Sequence, residues 1–339
     1  MSTGLRILVV APSWVGDALL SQPLLSRIKQ QDPQSRIDIL APGWALPVFR
    51  RMPEVAATLE SPFGHGELAL AKRWHLARNL RASGYDRVYV LPNSFKSALI
   101  PMFAGIPERI GYIGELRQVL LTDARRLDER VLTLMVERFA WLADSPRAPL
   151  TRPVSRPQLR VTEAERDQLC RRLGLNANGR IACFCPGAEY GPSKRWPAGY
   201  FGELAQQLGA EGYAVWLVGS AKEREIGEAI REKCAAAVNL CGRTTLDEAV
   251  VLLSCADLVV SNDSGLMHVA AALDRPAIAL YGSSSPLFTP PLSGRAYVVR
   301  HPVPCSPCFQ RTCPLKHFDC MMKLEPSRVL HEIHRHFPT

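Results

Sequence analysis

Three short stretches of the chain gather residue types able to do anion or acid–base chemistry. The first is SNDSGLMHVAAAL, Ser261 to Leu273, between the apolar runs DLVV and AIAL. Asn262, Asp263 and Ser264 are all strong helix N-cap types, and Gly265 lets a ligand or another backbone come close. His268 follows Ser264 by one turn, on the same face of the expected helix. The second is CPGAEYGPSKRWP, Cys185 to Pro197, a glycine- and proline-bearing loop with Lys194-Arg195. A loop of that kind leading into a helix suits phosphate, because backbone N–H groups and the helix dipole favour an anion. It has neither the GxGxxG nor the GxxxxGK[ST] spacing, so it is neither a dinucleotide fingerprint nor a P-loop. The third is APSWVGDALLSQP, Ala11 to Pro23, where Gly16 permits a tight turn and Asp17 falls in the first turn of the next helix.

Each stretch also has a plainer reading. Asp17 could cap its helix or complement the dipole; the functional alternative is a carboxylate that takes a proton from an attacking hydroxyl. Lys194 could belong to an exposed basic loop, and His268 alone reads as a satisfied buried histidine. Two helix N-termini and Lys194 around one space would suit a diphosphate, and the combination favours the functional reading.

The elements that would hold these stretches alternate along the chain. RILVV, RIDIL and DRVYVLP read as strands in the first half, with ALLSQPLLSRIKQQ and ELALAKRWHLARNLRAS between them as helices. In the second half IACFCP, AVWLVG, AAVNLCG, DLVVSN and AIALYG alternate with four helix-period segments. The alternation is the signature of βαβ units around parallel sheets, where ligands bind beyond the carboxyl ends of the strands. DSPRAPLTRPVSRP, Asp144 to Pro157, has four prolines and no period, and reads as an interdomain linker. The expected organisation is therefore two doubly wound α/β domains, 1–155 and 156–339, around a cleft, with PSRVLHEIHRHF as a closing helix.

The 339 residues carry a net charge of +9, so an acidic partner is expected: nucleic acid, an anionic membrane surface or a phosphorylated substrate. The missing GxGxxG argues against a dehydrogenase, and no aromatic-basic strand motif supports a nucleic-acid binder. No stretch reaches the roughly 18 apolar residues of a membrane span, and Ile7 to Ala11 is too short for a signal-peptide core. A cytoplasmic protein is expected. Six of its ten cysteines lie in apolar or helical surroundings and read as reduced core residues. The tail holds Cys305, Cys308, Cys313 and Cys320 with His317 nearby, a set that could bind a structural zinc or remain reduced thiols in a structured loop.

Taken in order, SWVGDALLSQPLL, LPNSFKSALIPMFAGIPERIGY, FCPGAEYGPSKRWP and VVSNDSGLMHVAAALDRPAIALYGSSSP resemble the ADP-heptose:lipopolysaccharide heptosyltransferases of glycosyltransferase family 9, over nearly the whole chain. The resemblance implies a GT-B fold, an N-terminal acceptor domain and a C-terminal donor domain. It implies inverting transfer of L-glycero-D-manno-heptose from ADP-heptose to the first heptose of the lipopolysaccharide inner core. Other members of the family differ in acceptor. The family's roles fall here on Asp17 as general base, and on Lys194, Asp263, Ser264, Gly265 and His268 at the donor phosphates. Glu223 matches the acid that holds the ribose, and Thr244 a backbone contact to adenine. The acceptor would be of the heptosyl-Kdo2-lipid A type, at the inner face of the inner membrane, with Ser13, Asn93 and Lys96 as candidate contacts. Further basic candidates are Arg50-Arg51, Lys72-Arg73, Arg117 and Arg125-Arg126, each of which also reads as a solvated helix face. Neither a required cofactor nor a nucleic-acid partner is implied.

Overall fold

The computed structural model describes residues 4–64 and 66–338 and forms two compact units, Met1–Pro157 and Gln158–Thr339. In the first unit the chain runs β1 (Arg6–Val10), α1 (Val15–Leu20), α2 (Gln22–Gln31), β2 (Arg36–Ala41), α3 (Leu46–Arg50), β3 (Val55–Glu60) and α4 (Leu70–Arg81). It continues through β4 (Arg87–Val90), α5 (Phe95–Phe103), β5 (Glu108–Tyr112), β6 (Asp123–Arg125) and α6 (Met135–Trp141). All six strands are parallel, in the order β3-β2-β1-β4-β5-β6.

The second unit runs α7 (Glu163–Leu173), β7 (Arg180–Cys185), α8 (Ala198–Ala210), β8 (Tyr213–Leu217), α9 (Arg224–Lys233), β9 (Val238–Asn239) and α10 (Leu246–Ser254). There follow β10 (Leu258–Asn262), α11 (Gly265–Ala272), β11 (Ala277–Tyr281), β12 (Ala296–Arg300), α12 (Asp319–Met322) and α13 (Pro326–His336). Its parallel sheet is ordered β12-β11-β10-β7-β8-β9. Counting β7 as first and β12 as sixth, this is the order 3-2-1-4-5-6 read from the opposite edge, the same as in the first unit. Each sheet thus has a switch point, β1 against β4 and β7 against β10, where successive crossovers turn opposite ways and open a crevice beyond the strand ends.

The central strands are apolar on both faces, as burial under helices on both sides requires. RIACFC in β7 and AIALY in β11 are buried from their second or first residue onward. Trp196 and Trp216 are the largest side chains closed off completely in the second unit's core. The tail helix α13 packs on α8, β11 and β12 and buries Val329 and Ile333.

Four details differ from the sequence reading. ALLSQPLLSRIKQQ is two helices, broken at Ser21, because Pro23 has no N–H and its ring crowds the preceding turn. AAVNLCG supplies only the two residues of β9. Strands β3, β5, β6 and β12 were not foreseen; VAATLE and DAR lie towards sheet edges and are only half-buried. The proline-rich Asp144–Pro157 segment is fastened down: Arg27 donates to Asp144 and Thr151, Trp141 donates to the Ala148 carbonyl, and Leu150 is buried.

Candidate functional site

In the second unit the two loops singled out by chemistry leave the two strands of its switch point. β7 and β10 run in register, Cys185 beside Ser261, and so end side by side. Asn262, fully buried at the end of β10, donates from Nδ2 to the Pro186 carbonyl at 2.7 Å and accepts from the Trp196 backbone N–H at 3.0 Å. One side chain therefore pins both ends of the loop that carries Lys194. The Trp196 amide is thus used internally.

Lys194 ends a single 3-10 turn, Pro192–Lys194. Its Nζ lies 2.5 Å from Asp263 Oδ2 and 5.0 Å from the centre of the Tyr190 ring. The Ser284 hydroxyl donates to the same carboxylate oxygen, so the buried Asp263 is both paired and hydrogen-bonded, as a buried charge must be. Asp263 does more than shape a turn: it is the counter-ion that holds the ammonium. The loop is braced from the tail, where Tyr190 donates to the Phe309 carbonyl and the Ser193 amide to that of Arg311. Gly191 is required there, since a Cβ would sit 2.3 Å from the Arg311 carbonyl oxygen.

Ser264 is the N-cap of α11 without a side-chain cap bond; its hydroxyl lies 3.3 Å from that of Ser261. The first amides of α11, from Gly265 on, thus keep their capacity to meet an anion. His268 is buried one turn in, and no hydrogen bond to its ring is made by the described residues. Burial pushes its pKa down to about 4, Asp263 opposing and Lys194 adding to the shift, so the ring is neutral at neutral pH.

Glu223 is buried beyond β8, and its Oε2 accepts from the Ser220 amide at 2.8 Å and hydroxyl at 2.6 Å. It therefore caps the turn before α9. A Cβ at Gly187 would lie 2.7 Å from Glu223 Cγ, so that glycine leaves the acid its room. Thr244 precedes the Thr245–Glu248 capping box of α10, and its Oγ1 is a buried atom without a hydrogen-bond partner among the described residues.

In the first unit, Asp17 sits in the first turn of α1 directly after β1, and Asn93 and Lys96 follow β4. Both groups lie at that unit's own switch point. Ser13 accepts through its carbonyl from Trp44 Nε1 at 2.9 Å. Asn93 is committed in part, its Oδ1 accepting from Arg117 at 2.9 Å.

Four of the cations read as acceptor contacts or solvated faces, Arg51, Arg73, Arg117 and Arg125, are buried. Arg117 is 0% exposed, donates to the Tyr112 and Pro92 carbonyls and to Asn93, and is held down to about 10 by desolvation. Arg73 is buried over the Phe63 ring and bonded to the carbonyls of Glu67, Leu68 and Lys96. Arg125 is buried against Asp123 and the Trp141 carbonyl. The guanidiniums of Arg73, Arg117 and Arg125 serve orphaned carbonyls that loops bring inward.

All ten cysteines are free thiols. Cys305, Cys308, Cys313, Cys320 and His317 line a cavity of about 20 Å³, with Cys305 Sγ 4.0 Å from His317 Nε2. Among the described residues no group of three or more His, Cys, Asp or Glu is arranged to hold a metal ion.

The model of glycosyltransferase family 9 (heptosyltransferase) matches residues 73–319. Lipopolysaccharide heptosyltransferase 2 of Salmonella typhimurium is 48% identical to the chain, covering 97% of it and 98% of the relative. The Escherichia coli protein of the same name is 47% identical and covers 97% of each. The solved structure of E. coli ADP-heptose LPS heptosyltransferase II matches with a TM-score of 0.89 at 45% identity, covering 98% of both chains. The architecture is thus α/β and GT-B-like, with a doubly wound sheet in each unit. Matched by the family model over more than half its length, and by relatives near half identity along almost all of it, the chain belongs to glycosyltransferase family 9, the heptosyltransferases.

Proposed function

We propose that the chain is an inverting glycosyltransferase of lipopolysaccharide core biosynthesis. It moves L-glycero-D-manno-heptose from ADP-heptose onto the first heptose of a heptosyl-Kdo2-lipid A type acceptor. The observation that carries this reading is the Lys194–Asp263 pair at the β7/β10 switch point, beside the uncapped N-terminus of α11. A nucleoside diphosphate leaving group needs a cation and preorganised amides there, because charge develops on its oxygens as the glycosidic bond breaks.

The reaction is a single displacement. The acceptor hydroxyl attacks the anomeric carbon, the bond from that carbon to the diphosphate oxygen breaks on the opposite face, and configuration inverts. Asp17 takes the hydroxyl proton. An ordinary aspartic acid is a weak base, with a pKa near 3.9, so the proton moves late, once attack has made the hydroxyl acidic. Lys194 exchanges Asp263 for phosphate oxygens, and the α11 amides meet the remaining charge. His268, neutral, takes part as a hydrogen-bonding ring rather than as a charge. Glu223 receives the ribose and Thr244 the adenine; the acceptor is met by Ser13, Asn93 and Lys96. The displacement so written includes no cofactor.

The acceptor's lipid sets the place of action as the cytoplasmic face of the inner membrane, a reading that the net charge of +9 supports. No helix among the described residues is long and apolar enough to cross a membrane. The test supplies ADP-heptose with defined acceptors carrying no, one or two heptoses. ADP release with the one-heptose acceptor alone is the expected result; equal release with the heptose-free acceptor overturns the assignment.

A further inference from the structure

Two loops of the first unit hold large apolar side chains out in water, and each is made rigid by a buried arginine. In the first, Leu116 and Val119 are 74% and 75% exposed. Glu115 and Leu116 are consecutive non-glycine residues in the left-handed region, at φ 43° and 60°. Such backbone is strained for a residue with a Cβ and persists only where the surroundings impose it. Here Arg117 imposes it from inside, through Tyr112, Pro92 and Asn93, and the Glu115 carboxylate accepts from the Phe95 amide at 3.0 Å.

The second loop precedes α4. Ala69 stands at φ 41°, and Arg73 gathers the carbonyls of Glu67 and Leu68, leaving Leu68, Leu70 and Trp74 exposed. Arg73 also donates to the Lys96 carbonyl at 3.1 Å. The two loops are therefore fastened to consecutive residues, Phe95 and Lys96, at the first turn of α5, and their apolar tips share that edge of the unit.

The charge around the tips is positive in balance. α4 carries Lys72, Arg73, Arg78 and Arg81 and no acidic residue. The nearest acids serve as turn locks: Glu67 on the Gly64 amide and Lys72, Glu115 on the Phe95 amide. Rigid exposed aliphatics, an exposed tryptophan and an excess of cations match a bilayer interface, where the apolar groups enter the acyl boundary and the cations meet anionic headgroups. We infer that the Leu68–Trp74 and Ile113–Val119 loops form one docking surface that seats the first unit on an anionic lipid bilayer. The inference rests on the reading above, that the acceptor is lipid-linked.

The test is flotation of the full chain with vesicles of phosphatidylethanolamine and phosphatidylglycerol, against vesicles of phosphatidylcholine alone. The wild type floats with the anionic vesicles and hardly with the neutral ones. The paired variants Leu116→Ser/Val119→Ser and Leu68→Ser/Leu70→Ser, all at exposed positions and checked for unchanged melting, bind the anionic vesicles at least tenfold more weakly. Their turnover on a deacylated, water-soluble acceptor stays within twofold of wild type. Equal flotation of variants and wild type overturns the docking surface. So does sedimentation showing that the serine pairs split a dimer while vesicle binding persists, since a second copy would then be the occupant. Absence of heptose transfer to the soluble acceptor by the wild type would defeat the proposed reaction and leave the flotation result standing.

Discussion

Lys194 Nζ lies 2.5 Å from Asp263 Oδ2, joining two loops that stand 69 residues apart in the chain. In the proposed reaction the pair stores a cation where the donor diphosphate leaves, so replacing either member has separable effects. Lys194→Met should lower kcat/KM for ADP-heptose by about 10²–10³-fold, the usual loss when one stabilising donor is removed. It also leaves the buried Asp263 carboxylate to the Ser284 hydroxyl, and stability should fall by about 3 kcal/mol. Adding Asp263→Asn in the double variant should restore much of that stability and none of the activity. Denaturant melts and steady-state rates on the three proteins separate the two roles; recovery of activity in the double variant would show that Lys194 acts only through the fold.

Asp17 stands at the other unit's switch point, in the first turn of α1. Asp17→Asn keeps the shape and the hydrogen-bonding first turn, so the variant should fold and bind ADP-heptose as the wild type does. Turnover should drop by about 10²–10⁴-fold, the range a positioned general base contributes. Near-normal kcat with an intact acceptor would remove Asp17 from the base role.

The alternation of apolar runs and helix-period segments made the parallel α/β class legible, and the loop chemistry made Lys194, Asp263 and Asp17 legible as candidates. Their pairing was not. Whether Lys194 meets Asp263 depends on the register of β7 against β10, which no local pattern encodes. Asn262 was visible as a cap type, yet its partners, Pro186 and Trp196, come from a loop 66 to 76 residues away. Arg73, Arg117 and Arg125 failed for a related reason. A cation in a sequence shows its charge, while the carbonyl oxygens that claim it belong to every residue alike and leave no trace in composition.

Arg117 turns that difference into a measurement. Arg117→Met removes the donors from the buried carbonyls of Tyr112 and Pro92, each an unsatisfied group worth about 1–3 kcal/mol. The variant should lose about 3 kcal/mol or more, and Arg126→Met, at an exposed position, less than about 0.5 kcal/mol. Urea melts of both are enough. Similar losses in the two would return Arg117 to the surface.

Asn262 offers a graded version of the same experiment. Asn262→Asp can still accept from Trp196 but cannot donate to Pro186, whereas Asn262→Leu does neither. Stability should fall in both, by about 3 kcal/mol for leucine and by more for aspartate, whose carboxylate would be buried against the Pro186 carbonyl oxygen. Because both ends of the Lys194 loop hang on this side chain, KM for ADP-heptose should rise along with the loss of stability. A leucine variant with unchanged donor KM would show that the loop holds its position without the pin.

His268 gives the structure a pH signature. Its folded pKa of about 4 lies below the ordinary value of 6.5, because burial disfavours the charged ring. Below pH 6.5 the unfolded chain therefore takes up a proton that the folded chain refuses, and the folded state loses stability as pH falls. The loss begins near the unfolded pKa, grows through the window down to about pH 4, and levels off once the folded ring also charges, at a total of about 3 kcal/mol. Above pH 7 the ring is neutral in both states and contributes no slope. His268→Gln cannot titrate, so the difference in unfolding free energy between it and the wild type should change with pH inside that window and be constant above it. The same comparison checks the ring's neutrality during donor binding: ADP-heptose affinity in the wild type should show no His268 titration near pH 6.5. A donor-binding step at that pH, absent in His268→Gln, would mean that the diphosphate draws a proton onto the ring and that the site meets its ligand with two cations instead of one.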